Sequence, residues 1–201
     1  MARSDRERWD QRYIAPRAGL LRGPHTLLMQ FAPPPTADAR ALELACGLGR
    51  DALWLAERGY TVDALDISFT ALRQARAEML RRGLRGVNFI QADLDEFTLP
   101  FYAYDLVLVF RFLDRRLFPE IRRRVRPGGL VIYETRNIRH AERHPEAPRA
   151  HMLALGELPR YFPGWEVLHS HDREYLSAFV GRKPLEETEG DDDEAKRARR
   201  G

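Results

Sequence analysis

Between Ala41 and Glu134 the chain alternates short apolar runs with stretches of helical character, and few folds accommodate that rhythm. The runs are Ala41–Ala45, Thr61–Leu65, Val87–Gln91, Tyr104–Phe110 and Leu130–Glu134; helices are expected over Arg50–Arg58, over Ser68–Arg82 with Gly83 closing it, and over Leu117–Val125. Strands this rich in Val, Ile and Leu are buried on both faces, which specifies an α/β chain with a parallel sheet and helices on either side. Ligands of such sheets bind beyond the carboxyl ends of the strands, so Gly47, Asp66, Asp93, Phe110 and Thr135 should line one rim. The rhythm fails near the end. Trp165–Asp172 and Glu174–Arg182 are strand-like runs too close together for a helical crossover, so they should pair antiparallel.

The first strand breaks into Cys46-Gly47-Leu48-Gly49 and then into Arg50-Asp51-Ala52, where a helix begins. Glycine lacks a Cβ, so the backbone turns tightly and a flat or charged ligand can approach the N–H groups and the helix start. With Ala52 in the third place the run also fits the relaxed dinucleotide fingerprint, so these glycines alone do not decide the ligand.

With 201 residues, 44% hydrophobic and 10% aromatic, the sequence suits one domain with a real core. A net charge of +3, from 33 cations against 30 anions, is close to balance, so nucleic acid is permitted as a partner and not demanded; it is not the expected one. All but two of the cations are arginine, which favours planar bidentate contacts. The single cysteine, Cys46, rules out an intrachain disulfide, the first residues lack the apolar stretch of a signal peptide, and Leu106–Phe110 is too short to span a membrane. A cytoplasmic setting, away from membranes, is expected.

Three segments follow. Residues 1–35 read as an N-terminal helical lid: Ser4 and Glu7 make a capping box, Trp9 and Tyr13 share a helix face, and Leu20–Phe31 is apolar before Pro33, Pro34 and Pro35 stop any helix. Residues 36–183 form the α/β domain. Residues 184–201 are a charged tail with little to bury, expected to be disordered.

Two carboxylates end successive strands. Asp66 is placed to accept the ribose hydroxyls of an adenosine lying over Gly47 and Gly49. Asp93 can accept an adenine amino hydrogen while Leu94 or Ile67 packs the ring; as an Asp at a strand exit it can equally cap a turn.

Taken together, Glu43 before the glycine turn, Asp66, Asp93, the strand Tyr104–Phe110 and the run Arg126–Thr135 resemble the class I S-adenosylmethionine-dependent methyltransferases. The nearest resemblance is to the tellurite-resistance (TehB-like) enzymes and their thiopurine methyltransferase relatives. It spans Trp9 to Arg182, including the Trp9–Tyr13 run, Arg50, and Gly156–Glu166. It implies a Rossmann-like three-layer α/β/α sandwich with a seven-stranded, mostly parallel sheet and an antiparallel last strand. It also implies S-adenosyl-L-methionine as cofactor, with S-adenosyl-L-homocysteine as product. The cofactor would meet Glu43 through its amino group, Ala45, Gly47, Gly49 and Arg50 along the turn, Asp66 at the ribose, and Ile67, Asp93 and Leu94 around adenine. Phe110 and Arg111 would border the methyl group. The short link His171–Glu174 departs from tellurite-type members, which carry a longer insertion there, so the acceptor does not carry over.

Other residues admit two readings. Trp9 and Tyr13 either staple the first helix to the sheet or cap the sulfonium as a cation–π contact. Arg111 and Arg136, with Tyr13 the candidates for the substrate side, either attract an anionic acceptor or pair with Asp114 or Glu134. His140 with His144, and His169 with His171, have metal-like spacings, but the first pair sits in a loop-like stretch and no metal is expected. Arg115, Arg116 and Arg122–Arg126 read as the solvated face of an amphipathic helix more than as a phosphate grip. Cys46 reads as a small packed residue.

The expectation is a methyltransferase acting on a small molecule such as a thiol or a chalcogen oxyanion, as a monomer or homodimer. A thiol would scarcely need a base; a hydroxyl would, and the sequence identifies none. Two alternatives stand beside it, an RNA methyltransferase and a non-catalytic dinucleotide-binding sensor.

Overall fold

The structure is a computed structural model that describes residues 2–14, 23–96, 98–99 and 103–185. Seven strands, β1 (Arg40–Leu44), β2 (Thr61–Asp66), β3 (Val87–Gln91), β4 (Tyr104–Phe110), β5 (Val125–Arg136), β6 (Glu166–Arg173) and β7 (Leu176–Arg182), form one sheet. Its order is β3-β2-β1-β4-β5-β7-β6. The first five strands pair in parallel, and β7 runs antiparallel to both β5 and β6. From β1 the chain builds outward to β3 and then returns to lay β4 on the other side of β1. Such a reversal leaves a crevice at the carboxyl ends of β1 and β4, the place where open α/β sheets bind ligands.

The helices are α1 (Ala2–Ile14), α2 (Thr26–Phe31), α3 (Arg50–Ala56), α4 (Phe69–Arg81), α5 (Phe118–Arg124) and the single turn α6 (His140–Arg143). Ser68 starts α4 by accepting the N–H of Ala71 on its hydroxyl, and Gly83, at φ +66°, follows the helix end. The sheet separates two apolar cores. Leu42, Leu44, Val107, Val109, Tyr133 and Phe179 pack with Phe118 and Phe162 on one face. Leu106, Leu108, Ile132 and Val180 pack with Leu53, Leu55, Leu27 and Leu28 on the other. Every residue of β4 is buried. Each such aliphatic or aromatic side chain contributes about 1.5–3 kcal/mol by leaving water, so the central strands are the least free to move and the rim they carry is rigid.

Two elements differ from the expected ones. A 3-10 turn, Arg115–Leu117, precedes α5, because Asp114 takes the N–H of Arg116 at 2.9 Å and starts the coil early. Strand β5 begins at Val125 and not at Leu130: Tyr104 pairs with Val125 and Leu106 with Leu130, so a bulge absorbs Arg126–Gly129. Gly129 makes this possible, since a Cβ there would stand 3.0 Å from the Tyr104 carbonyl oxygen. The expected charged tail from 186 onward, and residues 15–22 of the lid, lie outside the described residues. No described helix is long and apolar enough to cross a membrane.

Candidate functional site

The chain leaves β1 through three left-handed residues, Ala45 (φ +55°), Gly47 (φ +55°) and Gly49 (φ +65°). Glycine occupies two of these positions at no steric cost; Ala45 bears the strain of the third. Asp66, at the end of β2, accepts the Gly47 N–H on Oδ2 at 2.7 Å and the Ser68 N–H on Oδ1 at 2.8 Å. One carboxylate thereby joins the glycine turn to the start of α4. Glu43, on β1, accepts the Ala52 N–H at 2.9 Å and so fixes the first turn of α3. Cys46 is buried with its thiol against the Gly47 carbonyl, and burial, reinforced by Glu43, pushes that thiol up; it is a packed residue.

Glu43, Asp51 and Asp66 are 3%, 1% and 7% exposed. Burial pushes the Glu43 carboxyl well above the usual range; the negative charge of Asp51 adds to it, and Arg50 opposes it. Asp66 is also raised by burial, against the two backbone hydrogen bonds that favour its charge. Three buried acids with Arg50 as a nearby cation make a region of negative potential that a cationic ligand would neutralise. Asp93, two residues past β3, accepts the Asp95 N–H on Oδ1 at 3.0 Å. Its Oδ2 is buried without a hydrogen-bond partner among the described residues. The residue therefore caps a turn and still keeps one oxygen for something else. Leu94 beside it is buried, and Ile67 is half-buried.

The first helix closes over this rim. Asp10 accepts from the Ser68 hydroxyl at 2.7 Å and the Thr70 N–H at 2.9 Å, while Gln74 donates to the Tyr13 carbonyl at 2.6 Å. The Tyr13 hydroxyl rests on the glycine turn, 2.7 Å from where a Cβ on Gly47 would stand. Trp9 stacks on Tyr13 with centroids 6.3 Å apart and carries the Arg12 guanidinium 5.2 Å from its ring centre. In this arrangement Trp9 supports Tyr13, and Tyr13 is the residue that meets the turn.

On the far side of the crevice, Phe110 ends β4 and stacks on His25 at 3.8 Å and 10°. Nothing in the sequence pattern marks His25: it stands alone after Gly23-Pro24, and its partner is 26 positions away. Its backbone N–H donates to Asp51 Oδ1 at 2.8 Å, and its ring Nδ1 lies 2.7 Å from Asp51 Oδ2. Arg50 lies along the same ring, 2.9 Å from Nδ1 and in contact with Nε2. Arg111, at φ +62°, pairs with Glu134 at 3.2 Å, whereas Asp114 pairs with Arg116. Arg136 is exposed at the end of β5, and Thr135 beside it is buried. Gly47, Asp66, Asp93 and Phe110 thus lie along one edge of the sheet.

The remaining candidates have other company. The His140 ring packs at a tilt against His144 and Tyr175, and the His169 ring lies tilted against Phe31 and edge-on to His171. No group of three or more His, Cys, Asp or Glu is placed to hold a metal among the described residues. Arg115, Arg116, Arg123 and Arg126 pair with Glu157, Asp114 with Asp95, Glu120 and Asp105 respectively. A cavity of about 160 Å³ lined by Tyr60, Asp105 and Arg126 lies at the opposite, amino ends of the strands.

Residues 41–129 match a family model described as "Methyltransferase domain". The chain is similar to the malonyl-[acyl-carrier protein] O-methyltransferase of Pseudescherichia vulneris, 26% identical over 75% of this chain and 52% of that protein. It therefore spans about half the length of the curated relatives it matches. Among solved structures it resembles the N-methyltransferase NodS from Bradyrhizobium japonicum WM9 in complex with S-adenosyl-L-homocysteine (TM-score 0.70, 14% identity, 89% of this chain and 98% of that one). It also resembles TehB from Haemophilus influenzae (TM-score 0.63, 17% identity, 89% and 66%). At these identities the structural likenesses speak for the fold.

Proposed function

We propose that the chain is a class I S-adenosylmethionine-dependent methyltransferase, a reading supported by the match of residues 41–129 to a methyltransferase domain model and by a fold shared with TehB and NodS, and that it methylates a small-molecule acceptor, a thiol, a chalcogen oxyanion or a similar nucleophile. The observation that carries this reading is that Asp66 holds the Gly47 N–H and Glu43 the Ala52 N–H just past the glycine turn, while Asp93, on the same carboxyl edge of the sheet, keeps Oδ2 buried without a hydrogen-bond partner among the described residues.

These residues fit the cofactor. Its amino group is a cation, and Glu43 in its acidic surroundings suits it. Asp66 would take the ribose hydroxyls and Asp93 Oδ2 an adenine N–H, with Ile67 and Leu94 against the ring. Gly47 and Gly49 leave room beside the backbone, and Arg50 suits a carboxylate. When bound, the cofactor supplies a methyl group on a sulfonium, open to in-line displacement. The chain's own contribution is to orient and to exclude water: Tyr13 and α1 close the turn, Phe110 walls the crevice, and Arg111 with Arg136 border the acceptor side.

The malonyl-[acyl-carrier protein] relative supports a non-nucleic-acid acceptor, and the pairing of Arg115, Arg116, Arg123 and Arg126 with carboxylates leaves little unpaired basic surface around α5 for RNA. We place the protein in the cytoplasm, as a monomer or homodimer. Transfer of label from radioactive S-adenosylmethionine to thiols, oxyanions, phenols and total RNA tests the proposal; labelling confined to RNA overturns the acceptor class.

A further inference from the structure

We infer that His25 is the acid–base residue of this site and that its acceptor carries a hydroxyl still protonated at neutral pH, such as a phenol, in place of a soft thiol; the inference rests on the methyltransferase reading above.

His25 spans the crevice where the sheet order reverses. On one side it is tied to Asp51, two residues past Gly49; on the other its ring lies flat on Phe110, the last residue of β4. No residue near the glycine turn needs a histidine there for packing alone, since a phenylalanine would stack as well. What the imidazole adds is a held ring with a defined proton. Asp51 is 1% exposed and accepts both the backbone N–H and the ring N–H of the same residue. That geometry assigns the ring proton to Nδ1, leaving the Nε2 lone pair as acceptor. The Arg50 guanidinium lies against the ring, in contact with Nε2 and 2.9 Å from Nδ1. The Arg50 side chain is 28% exposed and keeps its own approach to Asp51 at 3.6 Å, so an acceptor hydroxyl can replace it at the ring. The His25 side chain keeps 15% exposure, enough for one edge to be reached.

The step balances. The acceptor oxygen forms a bond to the methyl carbon as the carbon–sulfur bond breaks, with its electron pair left on sulfur. The hydroxyl proton passes to Nε2, and the resulting imidazolium is stabilised by Asp51 through Nδ1. A thiol ionises more readily than a phenol and is intrinsically the stronger nucleophile, so its methylation draws less on such a dyad.

The charged groups around His25 are Asp51 and Arg50 from α3 and Glu43 from β1 behind them; β4 brings the uncharged Phe110. Two measurements on the full chain test the inference. In the first, nitrogen spectra of the protein labelled at histidine report the ring of His25: we expect the Nδ1–H tautomer, lost in Asp51→Asn, and an Nε2–H tautomer overturns the assignment. In the second, labelled cofactor is used with phenol, with a nitrophenol already ionised at the assay pH, and with a thiol. His25→Gln should lower kcat on phenol by about 100-fold or more, the usual worth of a positioned base. The same variant should change turnover of the ionised nitrophenol by less than about threefold, and leave S-adenosylhomocysteine affinity as in wild type. Equal loss on both phenols, no loss on either, or wild-type turnover of thiols alone overturns the inference while leaving the methyltransferase reading intact. Failure of the wild type to bind S-adenosylhomocysteine overturns that reading instead.

Discussion

Asp66 holds the N–H of Gly47 at 2.7 Å across 19 positions of sequence. The turn that would receive the cofactor is therefore shaped by the same carboxylate that would bind it. Asp66→Ala should weaken S-adenosylhomocysteine binding by at least about 1 kcal/mol, and it should also lower the unfolding midpoint, because two backbone N–H groups lose their acceptor in a buried setting. Calorimetry and thermal unfolding read the two effects; unchanged affinity removes Asp66 from the site.

Asp93 separates binding from folding more cleanly. Among the described residues its side chain serves the fold through Oδ1, which takes the Asp95 N–H. Asp93→Ser, which keeps a turn acceptor, should cost under about 1 kcal/mol of stability yet weaken the adenosyl ligand by about 1–3 kcal/mol, since a buried acceptor is lost from the adenine edge. Equal affinity for wild type and variant would assign Asp93 to the turn alone.

Glu43 gives a pH signature of definite sign. Burial and Asp51 raise its carboxyl above the ordinary value of 4.5, so the folded chain holds the proton more tightly than the unfolded chain. Its stabilising contribution is complete below the unfolded value and is lost as pH rises through the raised folded value. Glu43→Gln should therefore stabilise the ligand-free protein by about 1–2 kcal/mol at pH 8 and little at pH 4. The same change should weaken cofactor binding at pH 8. Unfolding curves at both pH values check the first statement, and titration at pH 8 the second.

Ala45 stands in a left-handed conformation at φ +55°. Ala45→Gly relieves that strain and should raise stability by about 0.5–1 kcal/mol, a few degrees in Tm for a domain of this size. A lower Tm would contradict the assigned backbone.

Glu157 works far from the crevice. Burial would raise its carboxyl, but hydrogen bonds from Arg115 and Tyr161 outweigh it and bring it down to about 2. A depressed carboxyl stabilises above its unfolded value near 4.5 and loses that contribution as pH falls towards 2. Glu157→Gln should cost about 1 kcal/mol at neutral pH, allowing for its partial exposure, progressively less as pH falls below 4.5, and almost nothing only once pH is below the folded value of about 2.

The alternation of apolar runs and helices was enough to give the sheet, because strands buried on both faces leave a dense signal of branched residues. Asp66 and Asp93 were legible for a related reason: strand ends in such a sheet fall on one rim, so position along the chain becomes position in space. His25 left no trace of that kind. Its partners, Asp51 and Phe110, lie in two different elements, and a contact made only in three dimensions carries no period. The early start of β5 was hidden as well, since Pro127-Gly128-Gly129 reads as a turn until the bulge against Tyr104 is seen.

The most direct measurement is calorimetric titration of the full chain with S-adenosylhomocysteine and, separately, with NAD(H). Saturable binding of the first, abolished or strongly weakened in Asp66→Ala, with none of the second, is the expected result. Tight binding of NAD(H) with no response to S-adenosylhomocysteine would contradict it.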